Sequence, residues 1–290
     1  MKKINNIKSK IADWVAKISP RIFFSIAYYH NRGRHLNLSE PKDLSALWIK
    51  KVLAGDINKI YALADKYEVR EYVKQRGLGS ILPVLIGVYD TADQIPYAKL
   101  PNQFALKMNY GAGMNIICRG KDKLNISESN EKIKSWLNRP KYNLAERHYN
   151  LITRRIIIEE FIEDGNGGFP IDYKFICING KAECCLVCGG RESGHADYLP
   201  YTLDWKPKYE WVKDLKEHDN KLFPCPQNLS EMIRIAETLA NGIDLVRVDL
   251  YSDGNKIWFG EMTLTPAGCI FHRWSNNALE DLAKMYNSKS

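Results

Sequence analysis

The chain has 290 residues, 45% hydrophobic and 26% charged, a composition that excludes a disordered chain and suits one large domain or two small ones. The net charge of +8 comes from dispersed basic residues that match no nucleic-acid-binding motif, so we expect no nucleic-acid partner and favour an anionic lipid or anionic substrate. Seven cysteines without framework spacing, the absence of an apolar run of ~18 residues and the lack of a signal-peptide pattern predict a cytoplasmic protein.

Residues 1–75 are predicted to form a helical N-terminal region. Residues 1–19 carry apolar side chains at helical spacing with five lysines among them. Such a basic amphipathic helix either packs on the domain or makes a peripheral contact with an anionic membrane at the inner face of the cell membrane. Residues 42–78 continue the helical pattern, which Gly77 and Gly79 end.

Residues 76–290 mix strand and helix patterns, which predicts an α+β fold with antiparallel sheets and helices on their faces. Two segments have helical periodicity, 130–140 and 228–242. Strand-like runs, several of them bounded by turn residues, are found at 81–90, 104–120 with a glycine loop inside, 154–163, 172–180, 181–190, 243–251 and 256–264.

The last two strands carry charged residues where a core strand would carry Val or Ile. Arg247 and Asp249 share one strand face because alternate residues of a strand point the same way. A three-residue loop would pair Asp249 with Phe259 and Arg247 with Glu261, placing all the charges on one side, whereas a two-residue turn would separate them. The pattern fits either a salt bridge that fixes the register or two carboxylates that bind a hard divalent cation.

A lysine and two glycines follow the first strand of the 104–120 segment. Lys107 ends an apolar run, and Gly111 and Gly113 come shortly after it. A strand-end lysine with a glycine loop can bind phosphate, although an ordinary turn has the same composition.

Acidic residues end or interrupt two other strands. Glu159 and Glu160 precede Phe161 and Ile162, an arrangement that suits either a solvated strand end or contacts with adenine and ribose. Asp172 and Lys174 share one strand face, where a nucleotide could also lie.

These segments, in this order, resemble the ATP-grasp family and more narrowly its TupA-like branch, which is associated with teichuronopeptide and other surface-polymer synthesis. The resemblance implies two α+β subdomains that clamp ATP, here within residues 76–290. The segments that carry it are 65–73, 100–113, 172–181, 247–251 and 259–268.

The resemblance also implies a role for each matching residue. Lys107, the Gly111–Gly113 loop and either Lys66 or Arg70 would hold the ATP phosphates. The adenine would lie against Glu159, Glu160, Phe161 and Ile162, the ribose near Asp172 and the phosphates near Lys174.

In the closing hairpin, the resemblance implies that Asp249 and Glu261 bind one or two Mg²⁺ ions, with Glu261 bridging two. Arg247 would act as a catalytic group together with Lys107. Many relatives have Asn where this chain has Thr263, a weaker magnesium ligand, so a second ion would either be absent or need water to complete its shell.

The activity implied is that of an ATP- and Mg²⁺-dependent carboxylate–amine ligase that forms an amide through an acyl phosphate. Its acceptor would be a uronic-acid-containing surface polysaccharide, capsular or teichuronic in type, or a precursor, and its donor an amino acid or another amine. The alternatives are an ATP-grasp sugar phosphotransferase and a non-catalytic nucleotide-binding partner in polysaccharide assembly.

Two further groups of polar residues have weaker patterns. Arg191, His195 and Asp197 lie in a predicted loop that is either solvated or binds the acceptor. Cys184, Cys185 and Cys188 are interpreted as buried strand cysteines, because a zinc site would need a second pair nearby.

Overall fold

The structure, a computed structural model, describes residues 18–142, 146–164, 167–190, 196–213 and 222–288, with Val15 and Leu215. The predicted helix over residues 1–19 therefore lies almost wholly outside the described residues. In the part that is described, the fold is α+β with two antiparallel sheets, as predicted. None of the described helices is long and apolar enough to cross a membrane.

The α-helices of the described ranges are α1 (Pro20–Arg32), α2 (Leu44–Ala54), α3 (Asp56–Lys59), α4 (Val69–Gln75), α5 (Ile126–Leu137), α6 (Leu229–Ala240) and α7 (Asn276–Asn287). Short 3-10 helices span Tyr61–Ala64, Gly79–Ile81, Ala92–Gln94, Tyr97–Lys99, Lys121–Lys123, Arg147–Leu151, Tyr209–Trp211 and Pro266–Cys269.

A four-stranded sheet is formed by β1 (Leu85–Tyr89), β2 (Phe104–Met108), β3 (Asn115–Cys118) and β4 (Ile156–Glu159), in the order β1-β4-β2-β3. Leu106 and Ile158 are register partners and point into the apolar core. Lys107 and Glu159 belong to the opposite face, because side chains alternate along a strand.

A five-stranded sheet is formed by β5 (Ile171–Ile178), β6 (Lys181–Gly189), β7 (Asp197–Tyr201), β8 (Leu245–Ser252) and β9 (Ile257–Thr263), in the order β7-β6-β5-β8-β9. One face is apolar, with Tyr173, Phe175 and Val248 packing in the core against α6. Because side chains alternate along a strand, the residues between these positions point to the other face of β5 and β8.

That other face changes character along its length. Ile176, Ile178 and Leu245 belong to a second apolar cluster with residues of α1, α2 and α7. Toward the opposite end of the same strands, the face carries Asp172, Lys174, Arg247 and Asp249. The sheet is thus covered by helices at one end of this face and polar at the other.

The structure differs from the sequence-based prediction in three elements. Residues 42–78 are not continuously helical, because Gly55, with φ of 79°, ends α2 before α3 begins. Residues 197–201 were expected in a loop but form β7, an edge strand that tolerates Pro200. The helix α7 was not predicted from the sequence. Its N-cap is Ser275, whose side chain accepts a hydrogen bond from the Ala278 amide.

Candidate active site

A cleft of about 770 Å³ is lined by residues of both sheets. The four-stranded sheet contributes Lys107 and the loop of Gly111 and Gly113, and the five-stranded sheet contributes its polar face. The predicted site residues that line it are Lys107, Gly111, Gly113, Asp172, Lys174, Arg247, Asp249 and Glu261, together with Lys66. The fold therefore gathers half of the predicted site residues, chiefly those expected to bind phosphate and metal, into one cavity.

The hairpin of β8 and β9 forms one wall of the cleft. Asp249 pairs directly with Glu261, and Arg247 pairs with Thr263. This register is neither the one expected for a three-residue loop, which would pair Asp249 with Phe259 and Arg247 with Glu261, nor the one expected for a two-residue turn. The loop between Ser252 and Ile257 has four residues, and a bulge inserts Gly260 into β9. The charged side chains nevertheless converge on one side of the sheet.

Arg247 holds the acidic side chains of this wall together. Its Nε and Nη2 atoms donate to the two oxygens of Asp249, each at 2.6 Å. Nη2 also donates to the Thr263 hydroxyl at 2.9 Å and to Glu261 Oε1 at 3.3 Å. The guanidinium therefore bridges every predicted metal ligand of the hairpin.

Lys174 supplies a second cation to the same carboxylate. Its Nζ lies 2.6 Å from Asp172 Oδ2 and 2.6 Å from Asp249 Oδ2. Burial opposes ionisation of Asp249, but Arg247 and Lys174 outweigh it, so the pKa of the Asp249 carboxyl is below its ordinary value. Asp249 is consequently a buried carboxylate that stays charged at neutral pH.

Glu261 is held in its charged form by a different lysine. Burial would raise the pKa of its carboxyl, but Lys66, 3.4 Å away, and Arg247 bring the pKa below its ordinary value. Lys66 also donates to the Gly111 carbonyl at 2.7 Å. One ammonium group thus connects the glycine loop of one sheet with the carboxylate of the other.

The glycine loop needs glycine for two physical reasons. Gly111 and Gly113 have φ of 68° and 73°, in the left-handed region that L side chains rarely adopt. A Cβ at Gly111 would also lie 2.5 Å from the Tyr142 hydroxyl. The loop can therefore bring its backbone N–H groups close to an anion, as a phosphate-binding loop requires.

Lys107 is paired with the acid that ends β4. Glu159 accepts from Lys107 at 2.9 Å and from Arg70 at 2.8 Å, and it is 5% exposed. Burial lowers the pKa of Lys107, but Glu159, together with Tyr251 and Glu261, raises it above its ordinary value. The ammonium that lines the cleft is therefore permanently charged.

The predicted adenine contacts lie beside the cleft. The Glu160 carboxylate accepts from the Val84 amide at 3.0 Å, and the Phe161 ring packs 6.2 Å from that of Phe169. Among the described residues, Glu159, Glu160, Phe161 and Ile162 are not part of the cleft lining. Glu159 reaches the cleft only through its ion pair with Lys107.

The other end of the cleft is aromatic and was not predicted. Trp211, Phe271 and Trp274 line it, with the exposed His272 and Arg273. The structure places Asp197 at the start of β7, next to the cleft-lining residues 196 and 198, whereas Arg191 and His195 lie outside the described residues.

The segment that supplies this aromatic end has an unusual backbone. Ala267, Cys269 and Phe271 have φ of 50°, 69° and 51°, in the left-handed region where non-glycine residues are rare. Arg32, buried in α1, donates to the carbonyls of Ile270, Phe271 and Trp274 at 2.6 to 2.7 Å. A helix near the N-terminus thus fixes the shape of the cleft wall.

The donor atoms at the hairpin fit one kind of metal site. No group of three or more His, Cys, Asp or Glu side chains that could hold a metal occurs in the described ranges. What the hairpin offers is two opposed carboxylates and the Thr263 hydroxyl. This set fits Mg²⁺, which commonly uses one or two carboxylates and takes its other ligands from phosphate and water.

Comparison with known proteins identifies the family. Residues 45–282 match the family model described as TupA-like ATP-grasp, which covers most of the chain. Two antiparallel sheets with a cleft between them therefore constitute an ATP-grasp fold in this molecule. The chain belongs to the TupA-like ATP-grasp family, and no curated protein sequence matches it.

Solved ATP-grasp ligases resemble the chain at low identity. The D-alanine–D-alanine ligase from Bacillus anthracis, complexed with ATP, is 14% identical, with a TM-score of 0.47 over 78% of this chain and 62% of the ligase. The ligase PsnB, complexed with a precursor variant, Mg and ADP, is also 14% identical, with a TM-score of 0.43 over 84% of this chain and 66% of PsnB. The chain thus spans slightly less than two thirds of each ligase's length.

Proposed function

We propose that the protein is a cytoplasmic, ATP- and Mg²⁺-dependent carboxylate–amine ligase that forms an amide through an acyl phosphate. The observation that carries this proposal is the direct opposition of Asp249 and Glu261, with Arg247 bound to both. A buried carboxylate opposite a partly exposed one, with a guanidinium bound to both, suits a metal–triphosphate site better than it suits an ordinary sheet.

The cations around the cleft support a triphosphate ligand. Lys66, Lys107, Lys174 and Arg247 line the same cavity, and each is balanced by a carboxylate. When ATP and Mg²⁺ bind, the phosphates would pair with some of these lysine and arginine side chains, and Mg²⁺ would bind some of the carboxylates. The ion pairs inside the protein would therefore hold the charged groups in place until the ligands replace them.

The nucleotide would lie between the two sheets. Its phosphates would bind Lys107 and the Gly111–Gly113 loop, and its ribose would lie near Asp172. Adenine would lie against Glu160, Phe161 and Ile162, while Glu159 would act by holding the Lys107 ammonium in place.

Asp249 and Glu261, with Thr263, would hold the Mg²⁺. When bound, the ion supplies charge neutralisation for the transferred phosphoryl group. Arg247 would turn from these carboxylates toward the phosphoryl oxygens and then toward the oxyanion of the tetrahedral intermediate, where such a donor contributes ~10²–10³ in rate.

The aromatic end of the cleft would bind the acceptor. Trp211 and Trp274 are each only 6% exposed, so they would form an apolar floor, and the exposed His272 and Arg273 would contact the sugar. A guanidinium can bind a uronate carboxylate through paired hydrogen bonds. This supports a uronic-acid-containing surface polysaccharide or its precursor as acceptor, with Arg191, His195 and Asp197 as further substrate contacts.

Hydroxylamine trapping tests the proposed reaction. The protein would be incubated with ATP, Mg²⁺, a uronic-acid oligosaccharide and hydroxylamine, which intercepts an acyl phosphate. A ligase gives a hydroxamate with stoichiometric ADP, and Glu261→Gln abolishes both products. A sugar phosphotransferase would give ADP and a phosphorylated sugar without hydroxamate, and a non-catalytic partner would give no ADP. Either of the latter results would refute the ligase.

A further inference from the structure

The helix α1 exposes an apolar stripe. Ile22, Ile26 and Tyr29 are 54%, 59% and 53% exposed, and their spacing of four and three residues places them on one side of the helix. Ile18, just before the N-cap Ser19, is 64% exposed. These four are half of the large hydrophobic side chains that are exposed in the described ranges, so exposed apolar surface is concentrated at α1 and its N-terminal end.

The stripe belongs to a helix that is firmly held. Phe24, Tyr28 and Arg32 are buried on the opposite side of α1. The Tyr28 hydroxyl donates to Asp43 at 2.5 Å, and Arg32 donates to three carbonyls near the cleft. The exposed stripe is therefore presented by a fixed element that already has its own buried face.

The charge around α1 differs from that of the rest of the chain. Residues 1–39 contain eight of the 42 Lys and Arg residues and one of the 34 Asp and Glu residues, a net charge of +7. All the other residues together have a net charge of +1. Arg34 is paired with Asp43 and Glu280 and Arg32 is buried, so the charge that remains for a partner is that of residues 1–21, a net +5.

We propose that α1, together with Arg21 and the basic residues that precede the helix, docks the protein on an anionic lipid bilayer. The isoleucine stripe would enter the boundary between headgroups and acyl chains, and the basic residues would bind the lipid phosphates. A second copy of this chain fits less well, because the two copies of residues 1–21 would each carry a net +5 and repel. The proposal does not depend on the ligase reaction.

Vesicle co-sedimentation of the full-length protein tests this docking. Binding to phosphatidylcholine vesicles that contain phosphatidylglycerol is expected to be strong at low salt and to weaken as salt is added. Pure phosphatidylcholine vesicles should bind much less. The double variant Ile22→Ser/Ile26→Ser should lose ~10-fold or more in affinity for the anionic vesicles, because it removes two apolar side chains that would be buried in the bilayer.

The matched control is Val84→Ser/Leu222→Ser, which removes two side chains that are each 60% exposed and do not belong to α1. It should bind like the unmodified protein, and all variants should keep the same melting temperature. Unchanged binding by the α1 variant, or equal binding to both kinds of vesicle, would overturn the proposal. So would light scattering that shows a dimer dissociating in the α1 variant, since the stripe would then cover a second copy.

Discussion

Asp249 and Glu261 face each other across β8 and β9 because Gly260 adds one residue to β9 beside them. Without that bulge, Asp249 would pair with Gly260, and Glu261 would fall on the opposite face of the hairpin. A single glycine therefore decides whether the two carboxylates converge.

Replacing Gly260 with Ala should disturb this convergence. A Cβ at Gly260 would lie 2.9 Å from the Asp249 carbonyl oxygen and 3.0 Å from the Tyr251 ring. We expect a loss of about 1–3 kcal/mol in unfolding free energy from overpacking and a ~10-fold or greater loss of ADP release. The control is Gly79→Ala, whose nearest neighbour would lie at 3.5 Å. Normal activity in Gly260→Ala would show that the bulge does not matter.

Lys174→Met should destabilise the protein in a pH-dependent way. Burial raises the pKa of Asp249, but Arg247 and Lys174 lower it below its ordinary value. A lowered carboxyl pKa contributes stability above the unfolded-state pKa of ~3.9 and loses that contribution as the pH falls through the folded-state pKa. We expect a loss of about 3–5 kcal/mol at neutral pH.

That loss should be smaller at about pH 2 than at about pH 7, because the Asp249 carboxyl becomes protonated in the folded protein only below its lowered pKa, and a protonated carboxyl needs no cation. Urea unfolding at both pH values measures it. Lys181→Met is the control, since Lys181 pairs with Glu237 while 58% exposed, and it should cost under ~1 kcal/mol at both values. An equal loss for Lys174→Met at the two pH values would contradict the charge pairing described for Asp249.

Arg32→Lys should alter the acceptor end of the cleft without removing a charge. A lysine ammonium cannot reproduce the fork that binds the carbonyls of Ile270, Phe271 and Trp274. We expect a loss of about 1–3 kcal/mol in stability and a raised KM for the acceptor, with ATP affinity nearly unchanged. Arg234→Lys on the surface of α6 serves as control. If the variant lost affinity for ATP and for the acceptor to the same extent, Arg32 would support the whole fold and not the acceptor end in particular.

Thr263→Val tests whether the hydroxyl serves the metal. The hydroxyl accepts from Arg247 at 2.9 Å and donates to Glu261 at 3.1 Å. Its removal should raise the Mg²⁺ concentration at half-maximal activity ~10-fold, as loss of a group that orients a metal ligand commonly does. Thr263→Asn should restore or improve Mg²⁺ dependence. If neither variant changed the Mg²⁺ concentration at half-maximal activity, Thr263 would serve only the packing of the hairpin.

The sequence could predict which residues share a strand face but not which residues lie opposite them. Alternation alone places Asp172 with Lys174, and Arg247 with Asp249. The register depends on the loop length and on the bulge at Gly260, and the sequence does not distinguish a bulged residue from an ordinary strand residue. The sequence therefore left open whether the charges converge, and the structure shows that they do so through a longer loop combined with a bulge.

Contacts between distant segments were beyond the sequence patterns. Glu159 was expected to face adenine, yet its carboxylate pairs with Arg70 and Lys107, which lie 89 and 52 residues away along the chain. The aromatic end of the cleft joins Trp211 with Trp274, and only the packed fold brings these together. The left-handed backbone at 267–271 has no glycine-rich signature except Gly268.

Calorimetric titration of ATP, with Mg²⁺ and then with the ion chelated, tests the metal–triphosphate site most directly. The unmodified protein should bind ATP far more tightly with Mg²⁺, whereas Asp249→Asn and Glu261→Gln should lose most of that difference and Glu237→Gln, on the surface of α6, should retain it. Equal ATP affinity with and without Mg²⁺, unchanged in both hairpin variants, would contradict a role for Asp249 and Glu261 in holding the ion.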